Sequence, residues 1–240
     1  MSESSQHRTG IDWKQIDAVI FDVDGTLFDH LALRPAIVSR LIRHALTSRR
    51  GWRDLYVVFV FRRLRNRLAL AEADGIGRRD FEETAKATGV AVTDVKEIVT
   101  RWLFQEPLRI IALHRFPGID AFVAALRERG IRTGVFSDYP AEDKLKALGV
   151  SVEVVRDASQ PEIARLKPNP AGFQRVSELL GVSPSRCLII GDRDDRDGEA
   201  ARRGGFLFLK KVPAKRSGVS GTFTSYQALA DKLKTTPGIM

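Results

Sequence analysis

Two regimes of hydrophobic patterning divide the chain. Ala18 to Phe21 is an unbroken apolar run that predicts a short buried strand, followed at once by Asp22, Asp24 and a Gly25-Thr26 turn. From Asp29 to roughly His114 no strand pattern recurs. Ile37, Val38, Leu41, Ile42, Ala45 and Leu46 form a helical stripe, with Pro35 suited to the first turn of that helix. Trp52 to Leu70 predicts a second helix, broken by Gly75 and Gly77, and Arg79 to Thr88 a third, closed by Gly89. Thr93 can cap a fourth over Asp94 to Gln105, and Leu108 to Leu113 continues the helical pattern.

Beyond Pro117-Gly118 strands and helices alternate. Strands are expected at Ile131 to Asp138, Val152 to Val155, Cys187 to Asp192 and Phe206 to Lys210. Helices are expected at Ile119 to Arg129, Ala141 to Leu148, Ala171 to Leu180, Gly198 to Arg203 and Tyr226 to Leu233, the last capped by Ser225. Strand, helix and strand with short connections mean a parallel sheet wrapped by right-handed crossovers, so the fold class is α/β. The expected organisation is a core in two pieces, 1–28 and 115–240, interrupted by an all-helical insert, 29–114. The tails, Met1 to Gly10 and Thr235 to Met240, are expected to fray.

Composition narrows the class. At 240 residues and 43% apolar the chain can bury one good-sized domain or a domain plus an insert. A single cysteine, Cys187, excludes an intramolecular disulfide and fits a reducing cytosol. The N-terminus has no apolar signal core, and the longest apolar run, Leu55 to Phe61, is far short of the roughly 20 residues that span a bilayer. A soluble cytoplasmic protein is expected. The net charge of +9 is unevenly placed: residues 34–79 hold twelve arginines against Asp54, Glu72 and Asp74, so this stretch carries the whole excess. Such asymmetry suggests an anionic partner near the insert.

The chemistry-bearing residues cluster at strand ends. Asp22 and Asp24, two apart, can serve one site, one carboxylate attacking and the other handling a proton, with a divalent cation beside them. Ser137-Asp138 ends the next strand, where a hydroxyl and turn N–H groups can hold a phosphate oxygen. Lys167-Pro168-Asn169-Pro170 holds a lysine on a rigid loop, able to neutralise a carboxylate and a phosphoryl oxygen together. Asp192 stands where a strand gives out, and Asp194, Asp195 and Asp197 follow. Such hard oxygen ligands suit Mg²⁺.

DVDGTLF behind an apolar strand, Ser137, K-P-x-P and the acidic G-D loop, in that order, resemble the four motifs of the haloacid dehalogenase (HAD) superfamily of phosphohydrolases. The resemblance covers about Asp17 to Phe28 and Phe116 to Lys210. It extends to the helical insert only by location, which is similar to the C1 cap of phosphoglycolate phosphatase-like members. It implies a Rossmann-like doubly wound sheet under a helical cap. It also implies hydrolysis of a small phosphorylated metabolite through an aspartyl-phosphate on Asp22, with Asp24 as acid and base. Mg²⁺ would lie between Asp22, the Asp24 carbonyl and Asp192, supported by Asp197, with Asp195 as the alternative. Thr26, Ser137, Asp138 and Lys167 would bind substrate, although FSDYP (Phe136 to Pro140) departs from the usual threonine or serine followed by asparagine.

Asp24 disfavours a dehalogenase, which needs no acid–base residue there. A phosphonatase would want a lysine from the cap, and none occurs between Asp29 and Glu83. A phosphomutase or phosphotransferase, a lipid-phosphate phosphatase, and a catalytically idle phosphate- or partner-binding module stay open. The arginine-rich insert is either a solvated lid, a source of substrate contacts through Arg34, Arg40 or Arg43, or, over Trp52 to Leu68, a surface for an anionic membrane or lipid phosphate. Nucleic acid is disfavoured, since no binding motif accompanies the charge. His30, His44 and His114 have no partner assigned. Oligomeric state is left open.

Overall fold

Strand β1 (Ala18–Phe21) lies in the interior of a six-stranded, all-parallel sheet in the computed structural model, which describes residues 11–214 and 219–235. Its neighbours are β2 (Arg132–Ser137) on one side and β4 (Cys187–Gly191) on the other. β3 (Val154–Asp157) lies outside β2, and β5 (Leu207–Lys211) and β6 (Thr222–Phe223) lie beyond β4. The order β3-β2-β1-β4-β5-β6 reverses direction at β1, which makes the C-terminal edge of β1 and its two neighbours the crevice where open α/β sheets bind ligands.

Successive β1 side chains alternate between two cores. Val19 and Phe21 join one with Phe122, Leu145, Tyr226 and Leu229, whereas Ala18 and Ile20 join the other with Phe173, Val176 and Ala200. The helices covering these faces are α5 (Ile119–Glu128), α6 (Glu142–Leu148), α7 (Ala171–Leu180), α8 (Glu199–Gly204) and α9 (Tyr226–Thr235). The helical insert comprises α1 (His30–Thr47), α2 (Gly51–Leu70), α3 (Arg79–Thr88) and α4 (Val92–Val99). It has a core of its own around Leu41, Val57, Phe61, Val95 and Trp102. The C-terminal end of α2 (Leu68, Ala69) packs on the sheet-side core instead, anchoring the insert.

Several boundaries differ from expectation. α1 begins a turn early because Asp29 Oδ1 caps it, accepting the N–H groups of Leu31 and Ala32 at 3.0 Å each. Pro35 therefore lies inside the helix rather than in its first turn. Thr93 is not a cap: the Val95 N–H already reaches the Ala91 carbonyl at 3.0 Å, so α4 starts before it and runs on as a π-helical turn, Thr100–Gln105. Leu108 to Leu113 resolves into two 3₁₀ turns, Glu106–Arg109 and Ile111–His114. β3 sits two residues later than its apolar run, because Gly134 to Ser137 of β2 set its register from Val154 to Asp157. β6 is two residues long, too short to leave a periodicity, and Thr235 closes α9 instead of fraying. The expectation for Met1 to Gly10 and 236–240 lies outside the described residues.

Candidate active site

Asp22 follows β1 directly, its N–H donating to the Ile190 carbonyl of β4 at 2.8 Å, so a continuing ladder aims the carboxylate over the sheet edge. Thr26 Oγ1 donates to Asp22 Oδ2 at 2.9 Å, and the Lys167 ammonium bonds Oδ1. The turn carrying these groups is braced from α9, where the buried Tyr226 hydroxyl donates to the Thr26 carbonyl at 2.9 Å. Gly25 has φ +95°, and a Cβ there would lie 2.3 Å from Asp192 Oδ2 and 2.7 Å from His30 Nδ1. Only glycine lets Asp192 lie across the turn.

Lys167, 3% exposed, bridges Asp22 and Asp197, the latter at 2.7 Å. Its own N–H donates to Asp138 Oδ1 at 2.9 Å, and Arg196 donates to its carbonyl. Asp22, Asp192 and Asp197 each offer a carboxylate oxygen, all within 4.8 Å of one another. Asp197 Oδ2 also accepts the Arg193 N–H at 3.1 Å. Of the two acids left open after Asp192, it is Asp197 that joins the cluster, since Asp195 faces outward and pairs with the Arg193 guanidinium at 2.6 Å. Gly191 makes room, because a Cβ there would come within 2.4 Å of Asp197 Cγ.

Electrostatics follow from this crowding. Burial, against the pull of Lys167 and with the push of Asp197, raises the Asp22 carboxyl to about 6. Burial, with Asp22 and Asp197 alongside, raises Asp192 to about 8. Burial works against the Lys167 ammonium, but Asp197, Asp22 and Asp138 together hold it protonated well above the usual lysine range. Three clustered acids against one lysine crowd negative charge, and the raised proton affinities of Asp22 and Asp192 are what a bound cation would relieve. This donor set fits a hard divalent cation.

One cavity of about 270 Å³ collects Asp22, Asp24, Asp138, Lys167, Asp192 and Asp197. Three expected substrate contacts are placed otherwise. Thr26 is fully buried, its hydroxyl proton spent on Asp22, so it orients that carboxylate and does not reach the cavity. Asp138 lines the cavity, but its carboxylate holds the Lys167 loop. Ser137 is fully buried at the end of β2, its Oγ accepting the Tyr139 N–H at 3.2 Å. Among the insert arginines Arg34 lines the cavity, whereas Arg40 pairs with Glu106 at 3.3 Å and Arg43 is exposed. Arg53, Arg65, Arg78 and Arg79 also meet carboxylates, so much of the charge is matched within the insert.

Residues not foreseen complete the site. Lys144, 5% exposed, bonds Asp24 Oδ2 at 2.5 Å. The signal was available, for Lys144 shares the buried stripe of α6 with Leu145 and Leu148, and a lysine on an apolar stripe calls for a partner. Arg62 and Arg65 line the cavity from α2. His30 lines it too, with Nδ1 buried and unpartnered; burial and Arg34 lower its proton affinity. His44, by contrast, pairs with Asp54 at 2.9 Å. Cys187 is the buried strand residue expected, its thiol pushed up to about 12 by burial.

A buried carboxylate–lysine pair at the switch point of a parallel sheet, closed over by helices, defines a capped Rossmann-like hydrolase. The chain belongs to the haloacid dehalogenase-like hydrolase family, whose sequence pattern matches residues 16–205. It is 28% identical over 228 residues to a phosphoglycolate phosphatase of Rhodospirillum rubrum, covering 90% of each chain. It is 27% identical over 198 residues to a glyceraldehyde 3-phosphate phosphatase of Methanopyrus kandleri, covering 81% of this chain and 83% of the relative. A 2-haloacid dehalogenase structure from Pseudomonas syringae superposes with a TM-score of 0.60 at 20% identity, over 91% of this chain and 98% of the other. No helix among the described residues is long and apolar enough to cross a membrane.

Proposed function

We propose that this protein is a Mg²⁺-dependent phosphatase that hydrolyses a small phosphorylated substrate in a reducing, cytoplasmic compartment. The observation that carries the reading is the pairing of Asp22 with Lys167 beside a second aspartate, Asp24, in one cavity. A carboxylate nucleophile at phosphorus needs a proton donor for the leaving oxygen, which a dehalogenase does not, and an Asp24 that lines the same cavity as Asp22 supports that role. The relatives named as phosphatases support the same choice.

In the proposed reaction, Asp22 Oδ1 attacks phosphorus in line and forms an acyl phosphate while Asp24 protonates the departing oxygen. Asp24 then takes a proton from the water that cleaves the intermediate. Thr26 and Lys167 keep the Asp22 carboxylate in line, and the Lys167 ammonium offsets the phosphoryl charge. Ser137 shapes the turn below the phosphoryl site through the Tyr139 N–H. Asp22, Asp192 and Asp197, with the Asp24 carbonyl, would hold Mg²⁺, whose charge supplies the remaining offset to anion–anion repulsion. Asp138 acts as a positioning residue through Lys167.

Steady-state release of phosphate from p-nitrophenyl phosphate and a panel of sugar, nucleotide and glycolate phosphates tests the reading. Mg²⁺-dependent turnover abolished by EDTA is expected. A correctly folded protein inert on every ester would point to a binding module instead.

A further inference from the structure

A second cavity, about 450 Å³, opens between α1 and α2. Its walls are Ile37, Val38 and Leu41 from α1, Leu55, Val58 and Phe59 from α2, and Trp102 and Leu103, with Arg62, Arg63 and Asn66 along one edge and no acid anywhere in its lining. Ile37, Val38, Arg62, Asn66, Trp102 and Leu103 line both this groove and the catalytic cavity, so the two adjoin along a common wall. At the outer end Phe59 is 60% exposed and Val38 46%, a sizeable apolar surface that nothing among the described residues covers.

We propose that the substrate is a phosphate monoester of an apolar chain, and that the chain lies in this groove. The inference rests on the phosphatase reading of the catalytic cavity. The two linings differ in polarity: the catalytic cavity holds the carboxylates, Lys167, Arg34 and Arg62, whereas the adjoining groove, apart from Arg62, Arg63 and Asn66, is aliphatic and aromatic out to Phe59. That contrast matches an amphiphile whose anionic head reaches Asp22. Arg34 and Arg62 form no ion pair among the described residues, so their charge at the junction is free to draw in such a head. A short hydrophilic ester would leave the groove empty and its apolar walls wetted, a cost that an alkyl chain removes. A membrane surface or a second copy would cover Phe59 from outside, but neither accounts for the six residues that the groove shares with the catalytic cavity.

The test is a series of n-alkyl phosphates, ethyl, butyl, hexyl and octyl, assayed with Mg²⁺ below their micelle concentrations. kcat/KM is expected to rise about three- to four-fold per buried methylene. Phe59→Ser and Leu55→Asn, which line only the groove, should cut the octyl-to-ethyl ratio about five-fold or more. A flat series, or a gradient that survives both substitutions, overturns the proposal. So does a flat series accompanied by Phe59-dependent sedimentation with phosphatidylglycerol vesicles, which would assign the groove to a membrane surface. Calorimetric binding of octyl against ethyl phosphate to the Asp22→Asn protein separates the two readings. Chain-length-dependent binding without wild-type turnover would retain the groove and reject the phosphatase. Turnover of p-nitrophenyl phosphate without chain-length dependence would do the reverse.

Discussion

Lys144 on α6 and Asp24 in the turn after β1 meet in a 2.5 Å ion pair, a link between the second crossover and the first catalytic loop. The lysine is buried while the carboxylate faces the cavity, so the pair fixes the position of the Asp24 side chain. Lys144→Met keeps the stem and removes the ammonium. A fall in kcat of about 10- to 100-fold, with KM little changed, is expected from steady-state kinetics. Wild-type kcat in a folded variant would leave Lys144 a purely structural residue.

Asp22→Asn preserves volume but keeps one side-chain oxygen, so it accepts from Lys167 or Thr26 and not from both. Turnover should drop about a thousand-fold or more while circular dichroism stays that of the wild type. Acid-quenched wild-type enzyme should carry a phosphate adduct on the peptide containing Asp22, absent from the variant. An adduct on any other residue would move the nucleophile.

The raised carboxyls set a pH dependence for the metal-free protein. Asp22 at about 6 and Asp192 at about 8 bind protons more tightly folded than unfolded, so the folded state is favoured at low pH. That contribution is lost as pH rises from about 4 through 8. In EDTA the melting temperature should therefore fall between pH 6 and pH 8, whereas Mg²⁺, by binding the ionised cluster, should raise it more at pH 8 than at pH 6. Equal Mg²⁺ stabilisation at both pH values would argue against proton displacement from these acids.

Arg65 on α2 is buried, pairs with the fully buried Asp80 and donates to the Asp138 carbonyl at the sheet edge. Arg65→Met leaves Asp80 with only the Gly77 and Phe81 N–H groups as donors. A loss of about 3–5 kcal/mol in urea unfolding is expected. Adding Asp80→Asn to that variant should recover part of it, because the uncompensated buried charge is gone.

Gly25→Ala should abolish activity and Mg²⁺ binding together, since its Cβ would strike Asp192 and His30. Calorimetry with Mg²⁺ alone checks this independently of turnover. Normal metal affinity would mean that the turn relaxes without moving Asp192.

The residues on their own determined which groups matter and where along the strands they fall. A four-residue apolar run ending in Asp22, a second ending at Ser137 and a third at Gly191 each deliver a polar group to a sheet edge, because parallel strands leave all their C-terminal ends on one side. The helical insert was equally legible, since periodicities near 3.6 survive without knowledge of neighbours. Three-dimensional packing decided the rest. Asp195 and Asp197 are indistinguishable in a run of acids, and only the turn over Gly191 points one inward and leaves the other to Arg193. Thr26, Asp138 and Lys144 acquire their duties from contacts with residues up to 120 positions away. Likewise the groove behind Arg62 exists only because residues of α1, α2 and the turn at Trp102 and Leu103 come together around it. Local pattern specifies elements and their ends; which side chains then share a buried space depends on distances between segments that no local pattern encodes.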